Sequence, residues 1–365
     1  MLRADAPVVL LQHHGLDNLS GKTGLALLRY RKGPILAVVD PAHPGARLPE
    51  LTGIQREVPV VASLEEALPL LPEPRHSVAV VGLAPSGGVL PAEMRQDLGA
   101  ALDAGMSVAS GLHTQLARDP ELAPRLRPGA WIWDVRREPP DLVVGSARAA
   151  LLPCQRLLAV GTDMSVGKMS ACLELQAAAQ RAAIDARFVG TGQAGILISG
   201  SGVPLDAIRV DYAAGAVEEA VLRAAMGCTG HTLVLVEGQG SLCHPGSTAT
   251  LPLMRGSQPT ALLLVHRAGQ TTIRQAPHIP LPPLPDLIAV LEAMAALARP
   301  DPTALGAAAP RPRVGAIALN TAQLPEHEAL AAIQAISDQT GLPCDDPVRH
   351  GGDALLQALG ASVVT

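Results

Sequence analysis

Aromatic side chains are almost missing from this chain: two tryptophans, two tyrosines and one phenylalanine in 365 residues. A surface that stacks nucleobases needs several such rings along one groove, and five scattered rings do not build one. The net charge of −5 points the same way, because nucleic-acid binding calls for a basic face. Long apolar runs are missing too; none reaches the ~18 uncharged residues of a membrane span. The opening Met1-Leu-Arg-Ala-Asp5 puts an acid where a signal peptide would begin its apolar stretch. The expectation is a soluble, cytoplasmic protein with no nucleic-acid and no membrane partner. Cysteines are few, at 154, 172, 228, 243 and 344. Their odd number and the lack of any CxxC pair predict buried free thiols rather than a metal site or disulfides.

What is present is a large supply of Leu, Val, Ala and Ile within a hydrophobic content of 48%. At roughly 100–200 residues per domain the length suggests two domains. Short uninterrupted apolar runs recur at 34–39, 60–63, 77–81 and 106–110, with helical patterns at 63–67 and 93–104. Such alternation predicts an α/β domain with a mainly parallel sheet covered on both faces. Ser63-Leu-Glu-Glu66 has the spacing of a capping box. Gly129 to Arg136 closes this first region. A second α/β unit begins at Arg156-Leu-Leu-Ala-Val160, with a helix from about 167 to 182 and further strands at 186–189, 232–236, 261–265 and 314–319. The division expected is 1–150 and 151–365. Proline-rich 277–285 reads as extended and irregular, 299–313 as a flexible connection, and 357–364 as a helix end followed by a short strand.

The sharpest feature lies between the first strand and first helix of the second unit, at Gly161-Thr-Asp-Met-Ser-Val-Gly-Lys-Met-Ser170. A glycine-containing loop leading into a helix gathers backbone N–H groups around an anion. Lys168 adds a point charge for outer phosphates. The usual spacing is G-x-x-x-x-G-K-[ST]. Here one extra residue separates the glycines, Met169 takes the place of the usual hydroxyl, and Ser170 comes one position late. Gly161 to Ser170 (Gly161, Thr162, Asp163, Met164, Ser165, Val166, Gly167, Lys168, Met169 and Ser170) are the expected nucleotide contacts.

The longer loop resembles that of dethiobiotin synthetase and of related ATP-dependent ligases of the cobyrinic-acid amidase type. Val236-Glu-Gly-Gln-Gly-Ser-Leu242 is similar to a second motif of that group, in which the glutamate binds Mg²⁺. The resemblance implies Glu237 as metal ligand and catalytic residue, with Asp163 as a second carboxylate; Asp211 is a third candidate. Mg²⁺ needs such oxygen ligands alongside phosphate. Asn320, at the end of a strand, matches the position that reads the purine ring in that group.

A narrower family is similar over nearly the whole chain. It pairs an N-terminal Rossmann-like domain with a C-terminal P-loop NTPase-like domain, and its characterised members are bacterial D-glutamate N-acetyltransferases. The matching segments are Gly21-Lys-Thr-Gly24, Ser110-Gly-Leu-His113, Asp134-Val-Arg-Arg137, Gly161 to Ser170, Thr191 to Ile196, Asp211 to Gly215, Glu237 to Leu242 and His266-Arg-Ala-Gly269. The family continues the last motif with arginine; this chain has Gln270. The resemblance implies acetyl transfer from acetyl-CoA to the amine of an acidic amino acid, with Lys168 both a catalytic candidate and the holder of cofactor phosphates. ATP-driven amide or carbamate formation with Mg²⁺ stays open, as does a non-catalytic, nucleotide-gated switch. Gln193, Arg267, Arg274 and Arg255 are substrate candidates by nearness to the motifs. Ser110 and His113 are candidates because open α/β sheets bind ligands at carboxyl strand ends. His244, close after Glu237, is a candidate general base. Gly21 to Gly24 with His13 and His14 forms a possible second anion site. A homo-oligomer is expected for an enzyme of this size.

Overall fold

A computed structural model describes residues 2–300 and 311–363. Two compact units emerge: Met1–Glu138 with Gln193–Ala207, and Pro139–Gly192 with Ile208–Thr365.

In the first unit, six strands form one parallel sheet: β1 (Val8–Leu11), β2 (Ile35–Val39), β3 (Val60–Val61), β4 (Val78–Val81), β5 (Ser107–Ser110) and β6 (Ile132–Asp134). Their order is β3-β2-β1-β4-β5-β6, all parallel. The order reverses between β1 and β4, the arrangement of a Rossmann sheet. Strands buried on both faces are written as continuous apolar runs, and all four residues of β1 and of β4 are buried. Helices α1 (Lys22–Tyr30), α2 (Leu48–Thr52), α3 (Leu64–Ala67) and α4 (Met94–Asp103) connect them. Val9, Leu11, Val39, Val81, Leu98 and Met106 lie in one core cluster. The expected cap of α3 is present in modified form. Ser63 Oγ accepts the N–H of Glu66 at 3.3 Å, and Glu66 Oε2 accepts from Ala62 rather than from Ser63.

The second unit has its own parallel sheet: β7 (Gln155–Gly161), β8 (Ala186–Val189), β9 (Leu233–Val236), β10 (Ala261–Arg267), β13 (Arg313–Asn320) and β14 (Cys344–Asp345). The order is β14-β13-β10-β7-β9-β8, so β7 is central. Its principal helices are α5 (Lys168–Arg181), α7 (Ala213–Ala224), α8 (Thr250–Ser257), α9 (Leu284–Ala295), α10 (Glu326–Thr340), α11 (Pro347–His350) and α12 (Asp353–Val363). Helix α6 (Gln193–Ser199) belongs to the first unit, where it lies against α1.

Two expectations need correction. Residues 277–285 are not irregular throughout. β11 (Thr272–Ile273) and β12 (Ala276–Pro280) form an antiparallel hairpin, and α9 starts at Leu284. Prolines at 277 and 280 are compatible with this two-stranded piece, since each strand has only one partner. The end of the chain is helical through Val363, with no strand there; Val364 lies outside the described residues, as does 301–310 of the 299–313 connection. The five cysteines are free, with Cys154 and Cys172 buried and the others partly so. Among the described residues no helix is long and apolar enough to cross a membrane.

Candidate functional site

β7 delivers the chain to the carboxyl end of the second sheet at Gly161, and α5 leaves from Lys168. The loop between them bends through Ser165 at φ 54° and Gly167 at φ 118°. The second value lies outside what a side chain with Cβ readily adopts, so glycine is required there. Protein donors fasten the loop's carbonyl oxygens one after another. Thr162 O accepts from Ser241 Oγ at 2.9 Å and Asp163 O from Lys168 Nζ at 2.9 Å. Ser165 O accepts from Arg267 Nη2 at 2.7 Å and Val166 O from Asn320 Nδ2 at 2.9 Å. In contrast, the N–H groups of Ser165, Val166, Gly167 and Lys168 meet no acceptor among the described residues. A loop whose carbonyls are committed and whose N–H groups remain available, at the start of a 14-residue helix, is a nest for an anion.

Lys168 is 6% exposed. Burial lowers its ammonium to a pKa of about 8, against the smaller upward pull of Asp163 and Glu237. It is therefore charged at neutral pH and loses its charge in mildly alkaline solution. This gives a pH prediction. Because one proton is coupled to anion binding, affinity for a phosphate ligand should fall about tenfold per pH unit above 8. Calorimetric titration between pH 7 and 9.5 reads this directly; a flat profile would refute it.

Asp163 lies in the loop and Glu237 directly after β9, and both carboxylates are engaged. Asp163 Oδ1 accepts from the Met164 N–H at 2.7 Å. Its Oδ2 accepts from Gln270 Nε2 at 2.7 Å and the Arg274 N–H at 2.8 Å, which ties the β11–β12 hairpin to the loop. Glu237 Oε2 accepts from the N–H groups of Thr191 and Gly192 at 2.8 and 3.1 Å. Asp211 sits exposed in the turn before α7. Among the described residues no three His, Cys, Asp or Glu side chains come together as a metal-binding group. Asp163 and Glu237 both lie near enough to Lys168 to act on its charge, and each also holds backbone N–H groups in place.

On the side of the loop toward β13, a cavity of about 350 Å³ opens among Val166, Gly167, Ser170, Ala171, Val265, Ala318, Leu319, Asn320, Ala322 and Asp346 to Arg349. Asn320 stands in register with Arg267 at the ends of β13 and β10. Its Nδ2 is held by the loop and its Oδ1 by the Ala322 N–H. Asp346 caps α11 by accepting from Val348 and Arg349, and also binds the Thr321 N–H at 2.8 Å. Mostly apolar walls with a few fixed polar groups suit a small aromatic heterocycle. Asp346 to Arg349 escaped the sequence reading; Asp-Pro at 346–347, a cap followed by proline at a helix start, was the available signal.

The other candidates are spread out. Arg267 is half-buried, and its Nε meets no partner among the described residues. Burial and the nearby Arg274 lower its pKa; Arg274 itself is exposed. His266 Nδ1 lies 3.0 Å from Thr162 Oγ1, and burial lowers its pKa to about 4, so it stays neutral. His244, 9% exposed, accepts the Gly246 N–H on Nδ1 at 3.1 Å. Arg255 lies in the last turn of α8, which leads into the start of β10. That is the sheet end opposite the loop, so Arg255 does not join the site.

Three further candidates belong to the first unit. Gln193 Nε2 donates to Thr23 Oγ1 at 2.8 Å. Ser110 is fully buried, with Oγ accepting from Leu112 N–H at 3.2 Å. The exposed His113 packs its ring over Gly88. In the proposed second anion site, Thr23 accepts from Gln193 and the Gly24 N–H donates to Gly82 O at 2.8 Å. His13 pairs with Asp97 at 2.8 Å. These groups hold the fold of the first unit together rather than converging on an open nest.

Residues 41–138 match the profile of the DUF1611_N Rossmann-like domain of unknown function, and 143–356 that of the DUF1611_C P-loop domain of unknown function. A protein named D-glutamate N-acetyltransferase from Tritonibacter scottomollicae is 38% identical over 77% of this chain and 80% of its own. One of the same name from a Pseudoalteromonas species is 35% identical over the same shares. The crystal structure of a DUF1611 family protein from Anabaena variabilis superposes with a TM-score of 0.88 at 50% identity, covering 98% of this chain and all of that one. With these matches and two parallel-sheet units of the corresponding kinds, the chain is a member of the DUF1611 family, a Rossmann-like domain joined to a P-loop domain.

Proposed function

We propose that the protein transfers the acetyl group of acetyl-CoA to the amine of an acidic amino acid such as D-glutamate, and that the phosphate loop holds the phosphates of coenzyme A. The observation that carries this reading is the pairing of an anion nest around Lys168 with an adjoining cavity of about 350 Å³ at Asn320. In two relatives with 38% and 35% identity, the same name accompanies the family. Coenzyme A ends in a phosphorylated adenosine, so a phosphate nest beside an apolar pocket suits it without nucleotide hydrolysis. Met169 at the position of the usual hydroxyl is consistent with that use.

In the reaction the amine nitrogen attacks the thioester carbonyl carbon, the C–S bond breaks, and the proton lost by the amine ends on the departing CoA sulfur, giving the amide and the free thiol. The gain comes from holding the two reactants together and from donors at the developing oxyanion. Arg267 and Arg274 carry the positive charge next to the loop that a substrate carboxylate requires.

The test is thiol release from acetyl-CoA. It should depend on D-glutamate and exceed the rate with L-glutamate. Silence across a panel of acidic D- and L-amino acids would sink the reading. Amine-dependent release of ADP and phosphate from ATP would replace it with the ligase alternative.

A further inference from the structure

His244 follows β9 in a turn fastened to the phosphate loop. Ser241 Oγ donates to Thr162 O at 2.9 Å, and the His244 N–H donates to Ser241 O at 3.3 Å. The imidazole is nine-tenths buried. Its Nδ1 accepts the backbone N–H of Gly246 at 3.1 Å. A backbone N–H is only ever a donor, so Nδ1 presents a lone pair and the proton of the neutral ring resides on Nε2. Nε2 is buried and has no partner among the described residues. A buried donor left unmade loses its hydrogen bond to water with nothing in return, and folded proteins leave few such groups without a reason.

We infer that His244 is a neutral hydrogen-bond donor, its Nε2–H meeting an anionic oxygen of the bound ligand, and not a general base. The residue type and the nearby Glu237 motif suggest a base, but a base needs its free nitrogen unprotonated, and the nitrogen fixed as acceptor here is already taken by Gly246. The inference rests on the acyl-transfer reading of the same loop. The ligand oxygen has two sources, a cofactor phosphate or the oxyanion formed on the acyl carbon.

The experiment compares His244→Gln and His244→Leu in the full chain. Glutamine offers an amide N–H near the position of Nε2 but cannot take up a proton. With His244→Leu, thiol release should fall about 100-fold in kcat with the Kd for CoA unchanged if the partner is the acyl oxyanion. If the partner is a phosphate, the Kd for CoA should rise and kcat should hold. In either case His244→Gln should stay within about tenfold of wild type. Equal loss in both variants, or no change in either parameter, overturns the inference. Nitrogen-15 spectra of the wild-type ring give a readout independent of any variant's folding, and a proton on Nδ1 overturns it too. A wild type without acyl transfer would defeat the function proposed above, while the CoA-binding and ring-nitrogen measurements would still test the donor.

Discussion

Lys168→Met should abolish useful binding of the phosphate-bearing ligand and leave the fold intact. Truncating one partner of a buried charge pair costs about 2–5 kcal/mol, so a rise of roughly 30- to 5,000-fold in the Kd for CoA is expected. The fold should not suffer, for a reason visible in the same side chain. Its ammonium is 6% exposed, and its pKa falls from 10.5 in the open chain to about 8. A folded-state pKa below the unfolded one means that the charged form opposes folding. That penalty is fully present below pH 8 and relieved as pH rises through 10.5, and it amounts to about 3 kcal/mol. Methionine removes the penalty together with the hydrogen bond to Asp163 O. The thermal midpoint of Lys168→Met should therefore equal or exceed that of the wild type at pH 7, and the alkaline loss of anion affinity should vanish. A variant that binds CoA normally would show that the loop is not the cofactor's seat. A variant that loses binding only because it unfolds would contradict the assignment of the penalty.

The loop was legible because its parts are local. Gly161, Gly167 and Lys168 sit within eight residues of one another, between an apolar strand and a helix, and the structure keeps that order. β1 was not legible. Val8–Leu11 is a four-residue apolar run with no alternation, and periodicity alone does not separate such a run from a piece of helix. The far wall of the cavity was hidden for another reason. Asp346 and Arg349 reach Asn320 only through the parallel pairing of β13 with β14, which no short window of sequence encodes. Gln193 shows the converse. It lies one residue from Gly192, whose N–H binds Glu237, yet its own side chain joins Thr23, 170 positions away. Nearness in sequence to a phosphate-loop motif assigned it to the wrong unit. The carboxylates were read by type, but the backbone N–H groups that Asp163 and Glu237 hold appear only once the loops are folded.

Gly238→Ala should be the most damaging single methyl in the second unit. Gly238 follows Glu237 directly after β9, and a Cβ there would stand 1.7 Å from Ala159 O and 2.9 Å from Lys168 Cδ. The lysine tip could bend away, but the carbonyl could not. Ala159 lies in the middle of β7, which is paired with β10 on one side and β9 on the other. Moving its carbonyl would strain the centre of the sheet. Overpacking of this kind normally costs about 1–3 kcal/mol, and a fixed backbone oxygen as the obstacle puts the expected loss near 3–4 kcal/mol. For a unit of this size that lowers the thermal midpoint by about 10 °C. Gly230→Ala is the control: its Cβ would meet nothing within 4 Å, so stability should stay within about 0.5 kcal/mol of wild type. The same methyl would also press on the stem of Lys168, so CoA affinity should fall in whatever Gly238→Ala protein remains folded at low temperature. Equal midpoints for the two alanine variants would mean that β7 and β9 yield more readily than their pairing implies. The rigidity of the phosphate loop would then have to come from Ser241, Arg267 and Asn320, the side chains that hold its carbonyls.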